Sequence, residues 1–200
     1  MANKWWVNAD ADNNFNNDNN WSTSEGGAGG AGVPGASDNA YFSNTSSSAA
    51  CNLSANISVI VLAQHNNVTG GTDRYTGAFD AVTFDVTTSG QVYWNQGNID
   101  YGTGTWTCAD NWFTDNALPI YGTSTVTLTG TSKTLTYANN GSFASLEVSG
   151  SYTLVVGTSG ITITDALTVS GTGTFDIAAR PVKFSSASYN SIWGNTDLSP

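Results

Sequence analysis

The sequence predicts an all-β protein wound as a parallel β-helix (β-solenoid), with three short strands in each coil of about twenty residues. Three observations predict it. Near-identical segments recur at a fixed spacing in the last third of the chain, apolar residues alternate with Thr and Ser inside each segment, and a glycine closes the first strand of each repeat. Alternation at period two marks a strand with one buried face. Self-similarity at this longer period marks a structure in which each repeat buries its apolar face against the next.

The repeats set out the elements. Val126-Thr127-Leu128-Thr129-Gly130 is echoed 20 residues later by Leu146-Glu147-Val148-Ser149-Gly150, and 21 residues after that by Leu167-Thr168-Val169-Ser170-Gly171. Leu135-Thr136-Tyr137, Leu154-Val155-Val156 and Phe175-Asp176-Ile177 form a second series at spacings of 19 and 21 residues. Ile161-Thr162-Ile163 and Val182-Lys183-Phe184 form a third, again at 21. A strand of four or five residues spans roughly 15 Å, so three strands and their corners use up the period and close one triangular turn. Successive turns then stack at ~4.8 Å. Val126, Leu146 and Leu167 line the interior one above another, as do Leu128, Val148 and Val169, and these six are the expected solenoid core. Gly130, Gly150 and Gly171 fall at a sharp corner that suits a residue without a Cβ. An antiparallel β-sandwich also offers short alternating strands. The solenoid is favoured over it because a sandwich does not require so repetitive a register.

The first half carries a less regular version of the pattern. Ile57 to Leu62 and Ala81 to Val86 read as buried strands, Asn66 to Thr72 as a loop between them, and the Gly-rich run Glu25 to Gly32 as a flexible surface loop with no assignable role. The two halves share an opening. Asn16-Asn17-Asp18-Asn19-Asn20-Trp21-Ser22-Thr23 resembles Thr107-Cys108-Ala109-Asp110-Asn111-Trp112-Phe113-Thr114. Tryptophans precede each, Trp5 and Trp6 or Trp94 and Trp106, and Pro34 or Pro119 follows. The chain therefore divides into residues 1–90, a Trp/Asn-rich β region, and 91–200, a second Trp-rich cap with the C-terminal repeats. Open ladder ends need covers, and the Trp-rich openings are the expected ones.

Composition narrows the function classes. The net charge of −10 and pI of about 4.1 repel a phosphate backbone, so direct nucleic-acid binding is not expected. Neither a polybasic cluster nor an apolar run of about twenty residues is present to hold a membrane. Aromatic residues reach 12%, with seven Trp, which separates the chain from disordered polar tails. The opening Met1-Ala2-Asn3-Lys4-Trp5-Trp6 lacks the apolar stretch of a secretory leader, so synthesis in a cytosol is expected. In that setting Cys51 and Cys108 are expected free and buried ahead of disulfide-bonded.

No catalytic, cofactor or metal site emerges. Asp10-Ala11-Asp12-Asn13-Asn14 has the alternation of a calcium loop, but Phe15 stands where the turn needs Gly and Trp21 where the bidentate Glu belongs. Turn chemistry is the favoured reading of this Asn/Asp cluster. His65 is the one histidine, so no His-based triad or zinc cluster assembles. Asp80, Asp85, Asp100, Asp110 and Asp115 could supply a carboxylate pair, but the sequence places no two of them within catalytic reach, and they read otherwise as solvated strand ends. Thr-x-Thr at 125/127 and 162/164 resembles an ice-binding ladder, broken by Ser145/Glu147 and Pro181/Lys183. The aromatics Tyr93, Trp94, Tyr101, Trp106, Trp112 and Trp193 read first as core, cap or subunit interface, and second as a platform on which sugar rings stack.

The segments Asp18-Asn19-Asn20-Trp21, Val33-Pro34 and Asp38-Asn39-Ala40-Tyr41-Phe42 together resemble the start of β-helical structural proteins of tailed bacteriophages. The resemblance implies a virion surface protein made in the host cytoplasm. It would be a capsid decoration or head-fibre protein that binds the major capsid protein, commonly as a homotrimer, and since no catalytic site emerges from the residues it is not expected to be an enzyme. Trp5, Trp6, Trp21, Pro34, Trp94 and Trp112 are the expected interface residues. The alternative is a tail-fibre or receptor-binding module that recognises host surface glycans.

Overall fold

The computed structural model describes residues 1–64, 74–114, 118–120, 122–137, 141–156, 161–177 and 182–184, and their strands wind into a parallel β-solenoid. The first sheet stacks Asn3–Trp6, Asn39–Phe42, Val61–Gln64, Val92–Trp94, Trp112–Thr114, Lys133–Tyr137, Ser151–Val156 and Thr174–Asp176 in parallel. Trp21–Ser22 joins its outermost strand antiparallel. The second sheet stacks Cys51–Asn52, Ala78–Asp80, Asn98–Asp100 and Leu118–Ile120. The third stacks Ile57–Val59, Val86–Thr88, Thr105–Cys108, Thr125–Leu128, Gly141–Val148, Ile161–Val169 and Val182–Phe184. Each early coil visits the three sheets in that order. In later coils the long strands Gly141–Val148 and Ile161–Val169 take over two walls at once. They bend at a bulge where Phe143 pairs with Ile163 but Ser145 with Ala166.

The expected register of the core holds. Val126 pairs with Leu146 and Leu146 with Leu167, while Leu128, Val148 and Val169 stack beside them, and all six are buried. Ile161 pairs with Val182 as the third series predicts. The second series is correct for Leu135 and Leu154 but slips at its last rung, where Tyr152 and not Leu154 pairs with Phe175. Two expected strands also differ. Ile57 to Leu62 is two strands on different walls, with Ile60 at the corner between them. Ala81 to Asp85 is a corner, and only Val86 of that segment belongs to a strand.

The wide N-terminal half is filled by aromatic rings. Trp6 and Phe15 pack edge-on against Trp21, Phe42 lies 5.2 Å from Trp94, Phe79 lies 5.9 Å from Trp106, and Trp106 lies 5.7 Å from Trp112. Beyond Phe143 the filling is mostly aliphatic, with Leu154, Ile163, Leu167 and Val169. Trp94, Trp106 and Trp112 therefore occupy the middle of the tube and form no second cap, and the sheets run without a break past residue 90. Nor are Trp21 and Trp112 equivalent, since one lies in an antiparallel closing strand and the other in a parallel rung.

One corner repeats its geometry on three coils. Val82, Gly102 and Gly122 stack with φ of 55°, 63° and 40°. Asp80 Oδ1 accepts from Val82 N at 2.7 Å, and Asp100 Oδ1 accepts from Gly102 N at 2.8 Å. A β-branched residue in the left-handed region is strained by about 1–3 kcal/mol, and Val82 is 39% exposed, so it regains little by burial. Val82→Gly is expected to stabilise the protein by about 1 kcal/mol after the extra chain entropy of glycine is deducted. Urea unfolding measures it, and a lower midpoint than wild type would refute the strain.

Candidate functional site

The N-terminal end is closed by polar turns laid over aromatic rings. Asp10 Oδ2 accepts from the side-chain amides of Asn17 at 2.9 Å and Asn19 at 3.0 Å, while Asp12 accepts from Asn14 N, Asn17 and Asn20. These Asx contacts stand where the calcium-loop alternation was noted, and they are the turn chemistry expected of the cluster. Beneath them Trp21 Nε1 donates to Phe15 O at 2.6 Å, and Trp6 Nε1 donates to Ala49 O at 3.2 Å. The return loop is tied down by Lys4, whose ammonium donates to the carbonyls of Gly32 and Val33 and lies 3.4 Å from Asp38. Asp38 also accepts from the backbone N–H of Ala2 and Gly35.

These contacts make the cap acid-sensitive. The Gly35 N–H, then those of Ala2 and the Lys4 ammonium, hold the Asp38 carboxyl below its ordinary 3.8, and the Asn14 N–H with the Asn17 and Asn20 amides does the same for Asp12. A carboxyl depressed in the folded state contributes stability that is present above its unfolded value and is lost as pH falls through its folded one. Acidification below pH 3.8 is therefore expected to loosen this end, and Asp38→Asn to lower stability at neutral pH while flattening the acid limb. Urea midpoints at pH 7 and in acid check it. An unchanged slope for Asp38→Asn would remove Asp38 from the account.

The expected interface residues lie inside. Trp6, Trp21, Trp94 and Trp112 are fully buried, Trp5 is 7% exposed, and Pro34 is buried in the return loop. Such rings hold the tube together and offer no apolar face to a partner. The same holds for the sugar-stacking set, because Trp94, Tyr101, Trp106 and Trp112 are enclosed. Tyr93 is the exception. It lies on the outer wall of the first sheet and stacks on Phe113 at 4.3 Å and 7°. Their 20-residue spacing, one period of the repeat, was the signal that sequence reasoning missed. His65, the loop Asn66 to Thr72, Asp115, Pro181 and Trp193 lie outside the described residues.

The register does bring two of the candidate carboxylates together, since Asp80 and Asp100 are direct rung partners. Each spends an oxygen on its own corner, as described above. Asp85 Oδ1 accepts from Thr105 N at 2.7 Å, and Asp110 lies 2.8 Å from the Lys133 ammonium. Asp80 and Asp100 fix their own corners, while Asp85 and Asp110 tie neighbouring coils together. Cys51 and Cys108 are free and buried, and burial pushes both thiols up.

The outer wall of the third sheet is a hydroxyl column, Ser58, Thr87, Thr107, Thr127, Glu147 and Thr168 in successive rungs. The register adds Thr105/Thr107 to the Thr-x-Thr pairs seen in sequence, and Ser145/Glu147 interrupts the row as expected. No family model matches the chain, and no curated protein or solved structure matches it.

Proposed function

We propose that the protein is a non-enzymatic virion surface protein of a tailed bacteriophage, a capsid decoration or head-fibre component that binds the major capsid protein and stabilises the shell. The observation that carries this reading is where the phage-like opening lies. Asp18–Trp21, Val33–Pro34 and Asp38–Phe42 are the segments that seal the tube and start its first coil, so the resemblance falls on one structural unit. A tube in which every rung is hydrogen-bonded to the next spreads load along its axis and suits a projecting or bridging rod.

With the tryptophans of the described residues enclosed, adhesion falls to polar groups. The exposed N-terminal turns carry Asp10, Asp12 and Asp18 within a chain of net charge −10, a match for a basic patch on a shell subunit. Attachment of this kind weakens with salt. Antibody labelling of purified particles is expected to decorate the head, and particles stripped of the protein are expected to release DNA at a lower temperature. Label confined to the tail tip would overturn the reading. Light scattering of the purified chain tests the homotrimer that the resemblance implies.

A second reading, a tail-fibre or receptor-binding module for host surface glycans, is favoured by the outward Tyr93–Phe113 stack, which places two half-buried aromatic side chains on the outer wall with one ring face of each spent on the other. It predicts saturable binding of the purified protein to host cells. That binding would not pass through Trp112, whose substitution breaks the core instead.

A further inference from the structure

We propose that a cleft of about 350 Å³ on the outer wall of the first sheet, between the strands Lys133–Tyr137, Ser151–Val156 and Thr174–Asp176, is a saccharide-binding site. The register builds its floor. Thr134 pairs with Thr153, and Thr153 pairs with Asp176, so three polar side chains stand one above another at the ~4.8 Å strand spacing. Ser132, Ser151 and Thr174 line the corner beside them.

The hydrogen-bonding state of these groups defines what fits. Thr134 Oγ1 donates to Asn111 Oδ1 at 3.1 Å, which leaves its lone pairs turned to a ligand. Ser151 Oγ accepts from Ser132 N at 2.7 Å, which leaves its proton to give. The hydroxyls of Thr153 and Thr174 have no hydrogen bond among the described residues, and each can donate or accept. Fixed acceptors, a fixed donor and two adaptable hydroxyls on neighbouring rungs match the alternating hydroxyls of a sugar.

Other ligand classes fit less well. An anion finds only the Lys133 ammonium as a cation in the lining, and that group is already engaged by Asp110 at 2.8 Å. An apolar ligand finds no open aromatic ring among the lining residues, only the methyl and methylene groups of Thr and Lys side chains. The Tyr152 ring is only 2% exposed, and its hydroxyl turns inward, donating to the carbonyls of Asp110 at 2.8 Å and Cys108 at 3.2 Å. The volume lies in the range of small-ligand sites. The groups stand on strands, so little ordering is needed on binding.

The proposal does not depend on where the protein sits on a virion. The test uses the full chain in saturation-transfer NMR against methyl glucoside, galactoside, mannoside and N-acetylglucosaminide. Saturation is expected to pass to at least one of them, with affinity falling about tenfold in Thr153→Val, the loss of a hydrogen bond or two. Thr127→Val on the third sheet serves as the wall control and is expected to bind like wild type. Transfer to none of the four sugars, or an equal loss in Thr153→Val and Thr127→Val, would overturn the site and leave particle labelling to judge the decoration reading separately.

Discussion

Val148→Asp is expected to cost several kcal/mol and to unfold the C-terminal coils. Val148 is fully buried between Leu128 above and Val169 below. The substitution forfeits about 1.5–3 kcal/mol of apolar burial and places a carboxyl where no partner stands, a further cost of several kcal/mol. Set against a total of about 5–15 kcal/mol for an ordinary domain, this is a large share. Ser149, the next residue, faces outward, and its hydroxyl makes one long contact with Leu128 O at 3.5 Å. Ser149→Asp is therefore expected to change stability by no more than about 0.5 kcal/mol. Urea unfolding followed by circular dichroism compares the two, and equal tolerance would contradict the inside/outside assignment. The buried carboxyl also leaves a pH signature. Its folded value is raised, so its protonated form is tolerated below the unfolded value and the deficit against wild type grows as pH rises.

The inside/outside pattern of this region was legible in sequence because a strand's side-chain period is two, and a one-residue error would have exposed the whole apolar set. Leu146 and Leu167 could hardly be placed otherwise. The slip at Phe175 has a different origin. Matching Leu154-Val155-Val156 to Phe175-Asp176-Ile177 used side-chain content, whereas the pairing of Tyr152 with Phe175 is set by the length of the corner before the last rung. Corner conformation also hid Ala81 to Asp85. Its apolar residues read as strand, yet Val82 adopts φ of 55° with its N–H bonded to Asp80, and only the stacking over Gly102 and Gly122 reveals the corner.

The tryptophans were misplaced for a reason of volume. In sequence their clustering beside Asn and Asp suggested a cap and an adhesive surface. In the fold the three-sheet coils enclose a broad section, and rings such as Trp94, Trp106 and Trp112 fill it through tilted and edge-on contacts at 5.5–5.9 Å. The first half is irregular in sequence because large rings from neighbouring rungs interlock across the tube. The aliphatic coils near the C-terminus fill a repeating space with repeating side chains, and the repeat is therefore visible. Functional groups on such a tube must be sought at outward positions in register. That rule picks out Tyr93 with Phe113, and Thr153 with Thr134 and Asp176.

Gly102→Ala is the backbone counterpart of Val148→Asp, with Gly171→Ala as its internal control. The two glycines share a left-handed φ, 63° and 62°. A Cβ at Gly171 would meet nothing within 4 Å, whereas one at Gly102 would run into the backbone N, C and O of Val82 on the preceding coil. Gly171→Ala should therefore register the conformational cost alone, about 1–2 kcal/mol. Gly102→Ala adds a collision with backbone that is itself fixed, since Val82 O accepts from Thr103 N at 2.9 Å and Val82 N is bonded to Asp80. Overpacking of this type adds about 1–3 kcal/mol, for a total of about 2–5 kcal/mol. The difference between the two unfolding free energies isolates the close approach of one coil to the next. Equal losses would mean that the coils can separate at this corner without cost, and the stacked column of Val82, Gly102 and Gly122 would then have no role in holding the rungs together.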